Sequence, residues 1–309
     1  MSTHIVATTP GTVSPPATQP AMHARFLSIM GGEFLKVARL FWLMLVILTL
    51  GFLAGFLLGA SQPGIKTDLQ HTPLHFLYYA LESNLVIFRI LGGIFLLILT
   101  SFTIGREYQY GTIRILLARG AGRVQLLLAK LAMLALVAAF LLVMFTSLTA
   151  LLTCVQMLAL DGNLSALSAL TPAFWSNSGI DLLTVIISMG ATILLATAMN
   201  TLGRSLTFGL SASLIWFPLD NIGAPFMNVI AQITQRDFWR HITAYLLGPL
   251  LNRLPDMLLP HSAYSGFEAF GAEPLVPVSG SHALWVIGAY SLVFFVLALV
   301  LTWKRDVKE

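Results

Sequence analysis

The chain has 309 residues, of which 57% are hydrophobic and only 10% are Asp, Glu, Lys or Arg. Soluble domains are about 45–50% apolar and about 25% charged, so these few charges cannot clothe a water-facing surface, and a mean hydropathy of +0.84 places most of the chain in lipid. That excludes a soluble enzyme, a nucleic-acid-binding domain and a secreted disulfide scaffold. The net charge of +4 belongs to loops at a membrane surface and calls for no nucleic acid, and the single cysteine, Cys154, can form neither an internal disulfide nor a cysteine-based metal site.

Residues 1–24 contain no Lys or Arg and are rich in Thr, Pro and Ala. They read as a short disordered tail, because the apolar run that follows starts too late and is too long for a signal peptide. Residues 25–39 predict an amphipathic helix, with Phe26, Ile29, Met30, Phe34 and Val37 near one face and Glu33 and Lys36 on another. It either lies in the interface plane or extends the first span.

A span takes roughly 20 apolar residues, since about 30 Å of hydrocarbon is crossed at about 1.5 Å per residue. The apolar runs are too continuous for the period-two pattern of a barrel strand, so the expected fold is all-α, a six-span helical bundle. The spans fall near residues 40–60, 84–104, 126–152, 182–202, 206–222 and 283–303. In the first, Gly51, Gly55 and Gly59 form a ridge at a spacing of four that lets a second helix approach closely, within the chain or from a second copy.

The second span carries Arg89 about five residues from its outer end, roughly 7–8 Å deep. Two readings apply: an ion pair with Glu82, Asp181 or Asp220, or contact with an anionic headgroup or substrate. The loop after this span reads REYQYGTIRILLARGAGR over residues 106–123, a partly amphipathic stretch ringed by Arg106, Arg114, Arg119 and Arg123. It either touches anionic headgroups or docks as a short helix in a groove of a partner. The fourth span repeats a small-residue ridge at Ser188, Thr192 and Ala196, and the fifth is short and holds Pro218. Residues 223–282 form an outside loop whose stretch 226–251 predicts one or two helices at the outer leaflet, either a lid packed on the bundle or an outer gate.

Orientation follows from the basic residues. Twelve of the seventeen lie in segments on the side of the two termini, four lie opposite, and Arg89 is within a span. The positive-inside rule then makes both termini cytoplasmic, in a plasma (inner) membrane protein.

The order of amphipathic helix, span, outside loop, span and then E-x-x-x-G-T-I-R with following Arg and Lys resembles the permease subunit of type-2 ATP-binding-cassette (ABC) exporters. The matching residues are Glu107, Gly111, Thr112, Arg114, Arg119, Arg123 and Lys130, and the closing Lys304-Arg305-Asp306-Val307 is similar to the ending of such permeases. The resemblance runs from about Arg25 to Val307, and the tail before it has no counterpart in the family. It implies that Glu107, Tyr108, Gly111, Thr112, Arg114, Arg119 and Arg123 belong to a cytoplasmic coupling helix on which a separate ABC ATPase subunit seats. It also implies a second permease, as homo- or heterodimer, alongside the surrounding membrane lipid. No lysine follows a glycine, so no G-x-x-x-x-G-K-[ST] loop occurs, and ATP and Mg are expected on the partner rather than on this chain. Export of a lipid-like, drug-like or peptide substrate is the function implied.

Rival classes remain open at this level. Gly209-Leu210-Ser211-Ala212 is similar to the nucleophile pattern of rhomboid intramembrane proteases, but all seven histidines fall outside the spans and none is placed to serve as base. A secondary transporter would show inverted repeats or acids at span centres, and none is visible. A non-transporting membrane subunit is a further alternative.

Overall fold

The structure, a computed structural model, describes residues 26–110, 122–259 and 273–304. All regular structure among these is helical. The helices are α1 (Phe26–Ala60), α2 (Ile65–His71), α3 (Pro73–Gln109), α4 (Arg123–Asp161), α5 (Pro172–Gly203), α6 (Leu206–Thr234), α7 (Phe238–Ile242), α8 (Leu247–Leu258) and α9 (Gly280–Lys304).

Five of them, α1, α3, α4, α5 and α9, are long and apolar enough to cross a membrane. The expected count of six is therefore not reached by length and hydropathy alone. The stretch read as the fifth span lies in α6, a 29-residue helix that continues past the expected boundary at 222 to Thr234 and contains Pro218, Asp220, Asn221 and Pro225. The polar pair and the two prolines lower its hydropathy. The segment 25–39 is likewise not a separate element: α1 runs unbroken for 35 residues, so the amphipathic stretch is the first third of a spanning helix.

At about 1.5 Å per residue, the 37 residues of α3 extend roughly 55 Å, well beyond about 30 Å of hydrocarbon. The surplus turns carry the charges. The near end of the bundle holds Phe26, Gln109, Arg123 and Lys304; the far end is closed by α8.

α3 and α5 form the centre. One core joins α1, α3, α4 and α5 through Phe52, Phe88, Leu96, Leu141, Phe145 and Val185. Phe88 stacks on Phe145 with centroids 4.9 Å apart, and Phe52 meets the same ring edge-on at 4.9 Å. A second core joins α5, α8 and α9 through Leu195, Leu247, Leu250, Leu254 and Ile287, with Trp216 of α6 against it. The outer faces of α1 and α9 expose Leu43, Val46, Ile47 and Leu50, and Leu292, Val293 and Val296, as suits helices bathed in lipid.

α5 and α6 turn sharply at the near end. Arg204 adopts φ 50°, and the Ser205 hydroxyl accepts from the Phe208 N–H at 3.5 Å as the cap of α6. Asn200 locks this corner to α3, donating to the Ser101 hydroxyl at 2.9 Å.

Candidate functional site

Two buried charge groups lie at opposite ends of the bundle. The near-end group is built from three helices that are far apart in sequence. Lys130, eight positions from Gly122 at the start of α4, is flanked by apolar residues and lies buried. Its ammonium donates to Glu33 Oε2 at 2.5 Å and to the Thr103 carbonyl at 2.9 Å, and it lies 3.0 Å from Glu107 Oε1. Those three partners use all three of its protons. Lys36 completes the ring, donating to Glu33 Oε1 at 2.6 Å and to Glu107 Oε1 at 2.8 Å. Glu33 and Glu107 are buried, while Lys36 is half-exposed.

Two cations and two anions thus close a neutral cluster joining α1, α3 and α4. Coulomb attraction at these distances offsets the desolvation of the buried members only while all four are present. Glu107 stands at the end of α3 and Lys130 two turns into α4, so the cluster joins the two helices that flank residues 111–121.

This places the expected docking residues differently from their sequence reading. The Glu107 carboxylate points into the cluster rather than outward. Tyr108 packs against Ile104, Leu127 and Ala298, between α3, α4 and α9. Arg123 is half-buried as the first residue of α4. Gly111, Thr112, Arg114 and Arg119 lie outside the described residues. Glu33 and Lys36 were visible in sequence only as polar neighbours on an amphipathic face. The sharper signal was Lys130, a lone charge inside a long apolar run, which demands a buried partner.

The far-end group centres on Arg89. Its Nη2 lies 3.4 Å from Asp181 Oδ1 and donates to the Thr184 hydroxyl at 2.6 Å, and its Nη1 donates to the Leu251 carbonyl of α8 at 3.4 Å. Arg89 and Asp181 are both buried. Of the other two acids considered for Arg89, Glu82 is buried nearby on α3. Asp220 serves elsewhere: its carboxylate accepts the Gly248 N–H at 2.9 Å, placing negative charge at the start of α8. α8 is also held by Asn252, which donates to Asn221 Oδ1 at 2.6 Å. Of the stretch 226–251 expected at the outer leaflet, residues 226–234 are the end of α6 and Phe238–Ile242 is α7, while the part from Leu247 belongs to α8 and is seated into the bundle, with Leu247, Leu250 and Leu254 fully buried.

The glycine ridge of α1 faces α3. A Cβ at Gly51 would lie 3.1 Å from Leu91 Cδ1, one at Gly55 2.8 Å from Ile87 Cδ1, and one at Gly59 3.9 Å from the Tyr79 hydroxyl. The ridge thus packs within the chain. Among the described residues no group of three or more His, Cys, Asp or Glu is arranged to hold a metal ion.

Comparison with known proteins adds a family. The model of the ABC-2 family transporter protein matches residues 29–217, more than half of the chain. The matched stretch begins just before Glu33 and takes in both charge groups apart from α8. No curated protein matches the chain.

Proposed function

The chain belongs to the ABC-2 transporter family, and from that membership we propose that it is the transmembrane permease subunit of an ABC exporter, driven by a separate ATPase subunit. The observation that carries the coupling part of this reading is the four-charge cluster. It joins the ends of α3 and α4, between which residues 111–121 run, to α1, so a push transmitted to those ends moves α1, α3 and α4 together. The ATPase seats on residues 107–123, with Arg114 and Arg119 supplying contacts and Glu107 holding the base of the segment. ATP and Mg bind to the ATPase. α6 makes the sixth crossing, which puts both termini in the cytoplasm of a plasma-membrane protein. Two permeases and two ATPases complete the transporter, and the cargo is lipid-like, drug-like or peptide.

The double charge reversal Arg114→Glu/Arg119→Glu tests the docking. The expected result is loss of ATPase co-purification and at least about tenfold slower transport, about 1.4 kcal/mol, with the thermal midpoint of the permease unchanged. Undiminished co-purification overturns the docking assignment.

A further inference from the structure

The far half of the bundle holds a cavity that neither charge group fills. It measures about 370 Å³ and lies between α3, α5, α6 and α8, within the roughly 300–1,000 Å³ range of small-molecule sites. Ile90, Ile94, Leu214 and Phe217 make its walls largely apolar. Pro218 also lines it and has no N–H to give the Leu214 carbonyl one turn earlier.

Ser188 and Thr192 face this space from α5, one turn apart. Only 9% of Ser188 and 2% of Thr192 is exposed. Several buried hydroxyls in these helices, those of Ser178, Thr197, Thr201 and Ser213, bond the carbonyl four residues back, although that of Thr100 does not. Ser188 and Thr192 have no hydrogen-bond partner among the described residues. Their hydroxyl oxygens are open to the cavity, so a ligand lying in it can supply the missing partner.

Arg89 also stands at the wall, yet its guanidinium is engaged by Asp181, Thr184 and the Leu251 carbonyl. The guanidinium charge at the wall is thus offset by Asp181, and a charged ligand of either sign would have to compete with that pair. The hydroxyls of Ser188 and Thr192 and the amides of Asn221 and Asn252 are the uncharged hydrogen-bonding groups on this wall.

We propose that this cavity binds an uncharged amphiphile, its hydroxyl, carbonyl or amide head bonded to Ser188 and Thr192 and its hydrocarbon body lying along Ile90, Ile94 and Phe217. The cargo role of that ligand rests on the permease reading; the binding site does not.

The test uses the full chain in phosphatidylcholine nanodiscs, without ATPase or ATP. Three photoactivatable diazirine probes of equal alkyl length carry an alcohol, a sulfonate or a trimethylammonium head, and the labelled peptides are mapped by mass spectrometry. The alcohol is expected to label residues 89–97 and 188–192 saturably, with the charged probes at least about tenfold weaker. Ser188→Ala/Thr192→Val is expected to weaken the alcohol about tenfold, the equivalent of one well-made hydrogen bond. Gly93→Leu is expected to abolish saturable labelling by filling the cavity, since a Cβ at Gly93 meets nothing within 4 Å. It keeps the test available if the double variant does not fold.

Equal labelling by a charged probe overturns the uncharged class. Saturable labelling that survives both variants, or no saturable labelling at all, overturns the site. A chain that binds the alcohol but recruits no ATPase keeps the site and loses the transport role. A chain that recruits an ATPase but shows no saturable labelling loses the site alone.

Discussion

Lys130 shows how much one side chain carries in a bundle with few charges. Replacing it with Met leaves the Glu33 and Glu107 carboxylates facing each other, with only the half-exposed Lys36 for compensation. The expected cost is about 3–5 kcal/mol, the range for breaking a buried ion group by removing one member. It is to be measured as a fall in thermal midpoint and in the yield of folded protein. Adding Glu33→Gln to Lys130→Met removes the excess negative charge, and the double variant is expected to regain part of the loss. Arg106→Ala is the control, since Arg106 is exposed and rests on the rings of Phe102 and Tyr110. It is expected to shift stability by under about 0.5 kcal/mol. A Lys130→Met chain as stable as its parent would show that the cluster does not hold the three helices together.

Close packing between elements is concentrated where α3, α5 and α6 meet. A Cβ at Gly209 would fall 2.1 Å from Asn200 Oδ1, and one at Gly105 would fall 2.4 Å from the same atom and 2.8 Å from Leu206 Cα. Asn200 cannot retreat freely, because its amide donates to Ser101 at 2.9 Å and to the Ala196 carbonyl at 2.7 Å. Gly209→Ala is therefore expected to destabilise by about 1–3 kcal/mol, as overpacking does. Gly31→Ala is expected to be neutral or to stabilise by up to about 1 kcal/mol, because its Cβ meets nothing within 4 Å and alanine favours the helix. Chemical denaturation in detergent compares the two; equal midpoints would contradict the close approach of the three helices. The ridge at Gly51 and Gly55 meets only the ends of the flexible Leu91 and Ile87 side chains, so alanine there is expected to cost less than at Gly209.

For the whole molecule the open quantity is the number of crossings. Five helices qualify by length and hydropathy, and an odd count would separate the termini. With α6 as the sixth crossing, a reporter fused after Lys304 and one fused before Phe26 report the same, cytoplasmic side. Cysteines placed at Arg204 and Gln235, the two ends of α6, then react with impermeant reagents from opposite sides. Reaction of both from one side would reduce α6 to a helix that does not cross.

The sequence by itself determined the solvent, the helical class and most of the spanning segments, because crossing hydrocarbon requires long runs of apolar residues that anyone can read in a window. It also carried the family, through a motif contiguous in the chain. It placed the start of α6 but not its length, since Pro218 and Asp220 mimic a boundary that the helix runs past. It did not determine which charges meet. Glu33, Glu107 and Lys130 are scattered over three helices, and Ser188 and Thr192 look like ordinary small residues of a packing ridge. Only the tertiary structure brings the first set within hydrogen-bond distance and opens a cavity beside the second, because helix rotation and crossing decide which side chains share a space.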